Sequence, residues 1–346
     1  MNSSGRIFRV NIFGESHGES AGINIDGCPA GLSLSAEDFV EDIERRKGGT
    51  QKGTTPRKED DLPIFKSGLF NGKTTGAPIT ILFENNNTRS GDYEKQRAVP
   101  RPGHADFVAH AKFGGYEDFR GGGHFSGRLT VCLVAVGVIA KKLLAQIDLS
   151  SGSGDAKLKS KGVKVAATIL EIGGETDLDK GLQKAIDQKD SIGGIVECRV
   201  NGLPVGLGEP FFDSVESVIS HAVFAIPAIR GIEFGTGFAA AKMFGADHND
   251  AIEDKTGKTK TNHAGGVVGG ITNGNELVFR IAVKPTSSTP KEQQTLNWET
   301  NTVESFSVKG RHDLCIALRV PVVLEAVTAM VLVDLMMLEH HIKRIL

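Results

Sequence analysis

The run Val320–Leu338 limits the possible folds more than any other stretch. It is apolar on nearly every side, so as a helix it has no stripe to offer water and must be covered all round. Its length also suits a membrane span. Against that, Glu325, Thr328 and Asp334 interrupt the run and Pro321 stands at a helix start, so a helix buried inside a soluble protein is expected. Leu129–Leu144 has the same all-round apolar character.

The segments that must cover such helices alternate with period two. Phe8–Ile12, Ile79–Phe83, Val196–Val200 and Phe279–Val283 each place apolar residues on one face. One-sided strands belong to antiparallel sheets, whereas a doubly wound parallel sheet requires near-continuous apolar strands. The expected class is therefore α+β, a layered β-α-β sandwich with apolar helices between outer, mostly antiparallel sheets. Ser35–Asp38 has the spacing of a capping box and opens a helix over Ala36–Arg46, and a further helix is expected over Asp213–Phe224. Lys47–Asp61, Ser150–Gly162 and Asn249–Asn262 read as polar loops, the last two as surface insertions. No Pro/Ser-rich linker or tandem repeat divides the 346 residues, so one domain over 1–346 is expected.

Composition excludes some functions. A net charge of -2 and 6% aromatic residues supply neither a basic field nor stacking surfaces for nucleic acid. The four cysteines, Cys28, Cys132, Cys198 and Cys315, are far apart and form no CxxC pair, so neither a disulfide framework nor a zinc site is expected. Cys132 and Cys198 sit among aliphatic residues and read as buried thiols. No His/Asp/Glu set has metal-ligand spacing, so no metal is expected. The N-terminal stretch lacks a signal-peptide apolar region, and a reduced, cytoplasmic compartment is expected.

Chemistry-bearing residues collect on glycine-flanked turns. Gly14-Glu-Ser16-His17-Gly18, Arg101-Pro-Gly-His104-Ala-Asp106 and Gly310-Arg311-His312-Asp313 each present polar side chains where a ligand can be reached. Their wide separation predicts one site assembled from the whole chain. His17 and His104 suit general acids near neutral pH, and Asp313 suits a proton acceptor. The loop Arg45–Lys58 mixes cations and glycines; it can close over a phosphate or simply be a solvated loop. Arg101, Arg128 and Arg311 lie in or beside Gly-rich turns and suit forked contacts to phosphate or carboxylate. Gly121–Arg128 feeds a helix N-terminus and could cradle an anion or cofactor, but has neither Walker nor dinucleotide spacing. Lys284–Ser288 ends a strand with a cation and hydroxyls. Asn262–Gly270 permits either close approach of a flat ligand or a tight packing crossover.

Taken in order, GESHG (14–18), RPGHAD (101–106), GGGxxSxR (121–128), TNHAGG (261–266), KPTSS (284–288) and GRHDxC (310–315) resemble the motif series of the chorismate synthase family over residues 6–338. That resemblance implies elimination of phosphate from 5-enolpyruvylshikimate 3-phosphate, with reduced FMN and no net redox change. It also implies a homotetramer and a β-α-β layered fold. NADPH would enter only indirectly, as the reductant of FMN, and no reductase segment is recognisable, so an external flavin reductase is expected. By the same resemblance His17, beside Ser16, protonates the leaving phosphate, His104 stabilises the reduced flavin, and Asp313 relays a proton near its N5. Arg46, Lys52, Arg101, Arg128 and Arg311 would line the substrate's anionic groups. His124, Phe125, Ser126, Pro227, Ala228, Gly269, Lys284, Pro285, Thr286, Ser287, Ser288 and Arg311 fall at flavin-contact positions. The chain departs from the family pattern at His124-Phe125 (commonly Arg-Ser), Lys52 (Arg), Pro227 (Asn), Leu129 (an acid) and Leu314 (Pro). Two other readings use the same residues: a flavin oxidoreductase with net electron transfer, and a phospho-ligand-binding protein without turnover.

Overall fold

A computed structural model describes residues 2–49, 52–55, 59–87, 97–147, 162–308 and 312–346. One five-stranded antiparallel sheet is formed by β1 (Ser3–Ser4), β2 (Arg9–Gly14), β3 (Ser20–Asp26), β4 (Ile64–Ser67) and β5 (Ile79–Glu84), in the order β1-β2-β3-β5-β4. The register pairs Val10 with Ile25, Ile25 with Ile79, and Ile23 with Ile81. These side chains are buried while the residues between them face outward, as the period-two pattern requires. A four-stranded antiparallel sheet holds β6 (Lys164–Ile172), β7 (Gly194–Asn201), β8 (Ile229–Phe234) and β9 (Leu277–Val283), in the order β8-β9-β7-β6. Here Val196 faces Ile281 and Cys198 faces Phe279 on the inner side, and Glu197 faces Arg280 on the outer side.

Between the sheets lie the two apolar helices, α3 (Thr130–Ala145) and α6 (Val320–Leu338). They pack on each other, α3 against the first sheet and α6 against the second. Both match the sequence expectation, and α6 is a core helix: of its 19 residues only Pro321 and Leu338 are not buried. Each polar interruption of α6 has a specific partner. Asp334 accepts the backbone N–H groups of Arg6, Ile7 and Phe8, each at 2.8 Å, and so ties the N-terminal strand to the core. Glu325 receives both terminal nitrogens of Arg45 at 2.7 Å and the Ala167 N–H at 3.0 Å. The Thr328 hydroxyl donates to the Leu324 carbonyl at 2.7 Å. A buried carboxylate is tolerated when its oxygens are satisfied in this way.

Smaller elements differ from expectation in detail. The stretch expected as one helix over Ala36–Arg46 begins with a 3-10 turn, Ala36–Phe39, and continues as α1 (Val40–Arg46); tight first turns of this kind are common. α2 is Asp106–Phe113 and α4 is Leu178–Gln188. α5 (Val215–Val223) starts two residues later than expected, because Ser214 rather than Asp213 caps it, accepting the Ser217 N–H at 3.1 Å. The expected insertion Ser150–Gly162 lies almost wholly outside the described residues. All four cysteines are buried thiols; burial pushes Cys28, Cys132 and Cys198 up to about 12 and Cys315 to about 11, so none is a thiolate at neutral pH.

Candidate active site

β2 ends at Gly14, and the turn beyond it buries Ser16 and His17. Across from this turn runs Gly121-Gly122-Gly123, with Gly121 at φ 60 and Gly122 at φ 82. A Cβ on Gly121 would stand 2.4 Å from the His17 ring and 2.8 Å from Ser16 Oγ; one on Gly122 would stand 2.8 Å from His104 Cε1. The two imidazoles therefore flank one stretch of backbone, and only residues without side chains let both approach it. Ser16 N–H donates to the Gly123 carbonyl at 3.1 Å. His124 Nδ1 lies 2.8 Å from the Gly14 carbonyl, so that nitrogen carries the proton and the ring fastens the two turns together.

His104 is oriented by Asp106, whose Oδ1 lies 2.5 Å from Nδ1. Arg101 Nη2 also stands 3.0 Å from Nδ1, but the shorter contact is to a carboxylate, which only accepts, so Nδ1 carries the proton and Nε2 faces Gly122. Asp106 is also gripped by Arg101, through Nε and Nη2 at 2.7 Å each and the backbone N–H at 3.0 Å. Burial would raise the Asp106 carboxyl, but the Arg101 and His104 hydrogen bonds outweigh it and hold the group well below the usual carboxylate range. Arg101 Nη1 reaches Ser288 Oγ at 3.3 Å.

A second carboxylate organises the other arginines. Asp61 is fully buried, and each of its oxygens receives a different guanidinium: Arg46 Nη2 at 2.6 Å and Arg128 Nη1. Arg128 also donates through Nε to Asn85 Oδ1 at 2.8 Å and through Nη2 to the Glu84 carbonyl at 3.1 Å. Burial opposes the Asp61 charge, but the two cations prevail and depress its titration. Burial likewise pushes Arg46 down to about 10, still far above neutrality, so its guanidinium stays charged. The cluster keeps one positive charge in excess, and Arg46 Nε is buried without a hydrogen-bond partner among the described residues.

Asp313 sits where three segments meet. Its Oδ1 accepts the Thr55 N–H at 2.9 Å, its Oδ2 lies 3.0 Å from Arg319 Nη1, and its backbone carbonyl accepts the Thr286 hydroxyl at 2.6 Å. Lys284 Nζ and Ser287 Oγ both donate to the Gly103 carbonyl, at 3.1 and 2.7 Å, which joins 284–288 to the His104 turn. Burial, with Arg230 nearby, lowers the Lys284 ammonium from its ordinary value. A cavity of about 370 Å³ is lined by Ser191, Ser288, Ser307, His312, Asp313 and Leu314. His312 Nε2 is buried with no partner among the described residues, and burial, with Arg101 close by, pushes that imidazole down to about 4. Clustered hydroxyls and an unsatisfied ring nitrogen line this cavity, and the Lys284 ammonium stands at the other end of the segment that brings Ser288 to it; these groups fit the phosphate and polar ring edge of a flavin.

Comparison with known proteins agrees with this geometry. The chorismate synthase family profile matches residues 8–337. The chain belongs to the chorismate synthase family. A chorismate synthase of Chitinophaga pinensis is 70% identical over 100% of this chain and 99% of its own length. One from Methanocaldococcus jannaschii is 41% identical, covering 97% of this chain and 96% of the relative. A solved structure titled "Crystal Structure of Chorismate Synthase" superposes with a TM-score of 0.71 at 25% identity, over 97% of this chain and 93% of that one. The α+β layered fold and the carbon-oxygen lyase class follow from these matches.

Set against the family motifs, the structure brings together Ser16, His17, Arg101, His104, Ser288 and Asp313, with Arg46 and Arg128 joined through Asp61. Ala228, in the left-handed region at φ 74, accepts the Lys284 N–H at 2.9 Å and carries Pro227 with it. Ser126 caps the entry to α3 by accepting the Arg128 N–H at 3.3 Å. Phe125 lines a smaller cavity of about 160 Å³ with His104, Asp106, Gly122 and Trp298. Lys52 is exposed and donates to Gln183 on α4 at 3.0 Å, away from the arginine cluster. Gly269 lies in the tight turn between the paired residues Val268 and Ile271, and the next residue, Gly270, packs on Glu209 and Ser214; among the described residues no hydrogen bond ties that turn to the His104 turn. In Asn262–Gly270 the Gly265 and Gly235 backbones nearly touch, since a Cβ on Gly265 would stand 2.4 Å from Gly235 N. That end of the segment is a packing crossover. Arg311 lies outside the described residues. Sequence reading missed Asp61, Asp106 as the His104 partner, and Arg319. Only Asp106 carried a usable signal, its place two residues after His104.

Proposed function

We propose that this site performs the anti-1,4-elimination of phosphate from 5-enolpyruvylshikimate 3-phosphate to give chorismate, in the shikimate pathway toward aromatic amino acids. The observation that carries this reading is the pair of histidines on either side of the Gly121–Gly122 backbone, His17 buried beside Ser16 and His104 held by Asp106. The hydrogen lost is not next to a carbonyl, so a base alone faces an unactivated C–H bond. Lys284–Ser288, with Ala228, Ser126 and His312, would hold a reduced FMN, which when bound would supply the electron density that assists C–O cleavage. His17, buried beside Ser16, gives its proton to the departing phosphate. Arg46 and Arg128, fixed by Asp61 with one charge in excess, offset the negative charge that grows on that group. Arg101 joins the substrate's anionic side to Ser288. His104, with Nδ1 held by Asp106, presents Nε2 as the fixed donor or acceptor toward the flavin, and Asp313 takes and passes on the proton removed.

The whole chain, 1–346, acts as one unit in the cytoplasm. Its flavin is reduced elsewhere, by an external flavin reductase drawing on NADPH. Phe211, Phe212, Phe238 and Phe244, 86, 93, 82 and 82% exposed, offer apolar surface for a homotetramer. An anaerobic assay with chemically reduced FMN is expected to release chorismate and phosphate in equal amounts. Absence of both products would sink the reading, and sustained NADPH oxidation by the purified chain would favour the oxidoreductase alternative instead.

A further inference from the structure

Asp313 is held by two donors that approach from opposite directions and belong to different parts of the fold. Thr55 N–H, on the inner limb of the cationic loop, meets Oδ1 at 2.9 Å. Arg319, in the turn that leads into α6, meets Oδ2 through Nη1 at 3.0 Å. The same arginine donates through Nε to the Arg46 backbone carbonyl at 2.7 Å. Arg319 is thus in direct contact with both the acid placed beside the flavin and the chain of an arginine placed on the substrate side. Both members of the pair are shielded, with side chains 19 and 9% exposed. The loop is bolted down beside them, since Leu314 and Cys315 N–H both donate to the Gly53 carbonyl, at 2.9 and 3.2 Å.

We propose that Arg319 is the positioning residue for Asp313, aiming its carboxylate from the turn that leads into α6. A carboxylate with one oxygen on a backbone N–H and the other on a guanidinium has no freedom to rotate. In general a guanidinium at ion-pair distance favours the ionised form of a carboxylate, the form that can accept a proton. The other charged or titratable groups that face Asp313 are His312 and Cys315 on its own turn, and burial keeps both uncharged at neutral pH. Arg319 is therefore the one cation within ion-pair distance of this carboxylate among the described residues. The inference rests on the proposed proton-transfer role of Asp313, and the test separates the two.

The full-length chain is compared with Arg319→Gln, which can still donate to the Arg46 carbonyl but has no charge, and with Arg319→Lys, which keeps the charge. Circular dichroism and thermal melting check the fold. For Arg319→Gln, kcat is expected to fall roughly tenfold or more with KM nearly unchanged, and the acid limb of the kcat profile to move up by about one pH unit. Arg319→Lys should return the pH profile to that of the parent. A flavin-free readout is an infrared pH titration of the Asp313 carboxylate band, isolated by subtracting Asp313→Asn; it should move in the same direction as the kinetic limb. Superimposed pH profiles and infrared titrations in parent and Arg319→Gln overturn the inference, as does a loss confined to KM. If Asp313→Asn keeps full turnover, the proton-transfer role of Asp313 fails, and the infrared titration alone decides whether Arg319 sets this carboxylate. Should Arg319→Gln not fold, Arg319→Lys decides. An ammonium cannot reach the Arg46 carbonyl and Asp313 together, so kcat must then drop several-fold at constant KM; parent-like kcat overturns the inference.

Discussion

Two aspartates, Asp61 buried and Asp106 half-buried, organise the cations of this site, and they do so differently. Asp61 divides its oxygens between Arg46 and Arg128 and leaves a net positive charge. Asp106 gives both oxygens to Arg101 and shares one with His104, so its guanidinium is balanced and the free end of an imidazole is what it offers. The first arrangement has the excess charge and fixed geometry to receive an anion. The second fixes a ring. In an elimination that expels phosphate beside a flavin, the two tasks belong at opposite ends of the reacting bond system, and the Gly121–Gly122 backbone runs between the two histidines concerned.

The sharpest way to break the comparison is to neutralise each aspartate in turn. Asp61→Asn leaves two guanidiniums buried without a counter-charge and should cost about 4 kcal/mol of stability, read as the shift in a urea unfolding curve. A cost below 1 kcal/mol would mean that the arginines are compensated elsewhere. His17→Ala is the next largest effect, since a general acid to a leaving group contributes at least about 10²-fold, or close to 3 kcal/mol of the barrier. Single-turnover phosphate release measures it, and a near-parent rate in a folded mutant would refute the proposed role. Asp106→Asn should cost less than Asp61→Asn, about 2 kcal/mol, because Arg101 keeps Ser288 and the amide can still bond it. If Asp106→Asn proves the more damaging, the ranking of the two clusters is wrong.

Acid sharpens the same contrast. Asp61 and Asp106 both titrate below their ordinary value in the folded chain, so their contribution is fully present above the unfolded value near about 4 and is lost as pH falls through the folded one. His312 acts at higher pH. Its folded value of about 4 lies below the ordinary imidazole value of 6.5, so the unfolded chain takes up the proton first and stability declines as pH drops between those two values. Stability measured against pH should therefore fall in two stages. His312→Gln should remove the upper stage alone, and an unchanged curve in that mutant would contradict burial as the cause.

The parts of the fold that could be read in advance are those whose pattern is local. α3 and α6 are apolar on every face, and β2, β5, β7 and β9 alternate, so the layering follows from burial alone. The histidine turns could be read because glycine on both sides of a histidine is a local signal too. The carboxylate partners could not. Asp61 is the last of three consecutive acids, Glu59-Asp60-Asp61, in a polar loop, and nothing in its neighbourhood marks it as fully buried. Arg319 hides in Ala317-Leu318-Arg319-Val320, where it looks like a lone polar break in an apolar run. Asp61 finds its meaning through Arg46 and Arg128, and Arg319 through Asp313 on the preceding turn and the distant Arg46 carbonyl, contacts that periodicity does not encode. The interruptions of α6 show the same limit: Glu325 and Asp334 argued against a membrane span, but their partners Arg45 and the backbone of Arg6–Phe8 appear only in the folded chain.

Lys52 provides the smallest effect and the finest discrimination. It stands on the same loop as Asp61, and the family pattern has an arginine there, which would make it a third member of the anion receptor. Here it is exposed and turned toward Gln183 on α4. An exposed, flexible ammonium with a neutral partner contributes little to binding a ligand held by buried guanidiniums. Lys52→Ala should change KM for the phosphorylated substrate by less than about twofold, with kcat unaltered. The contrast is with Arg128→Lys, which keeps the charge but cannot serve Asn85, Asp61 and the Glu84 carbonyl at once. A tenfold or larger rise in KM for Lys52→Ala would show that the loop swings this residue inward when substrate binds, and the receptor would then have three cations rather than two.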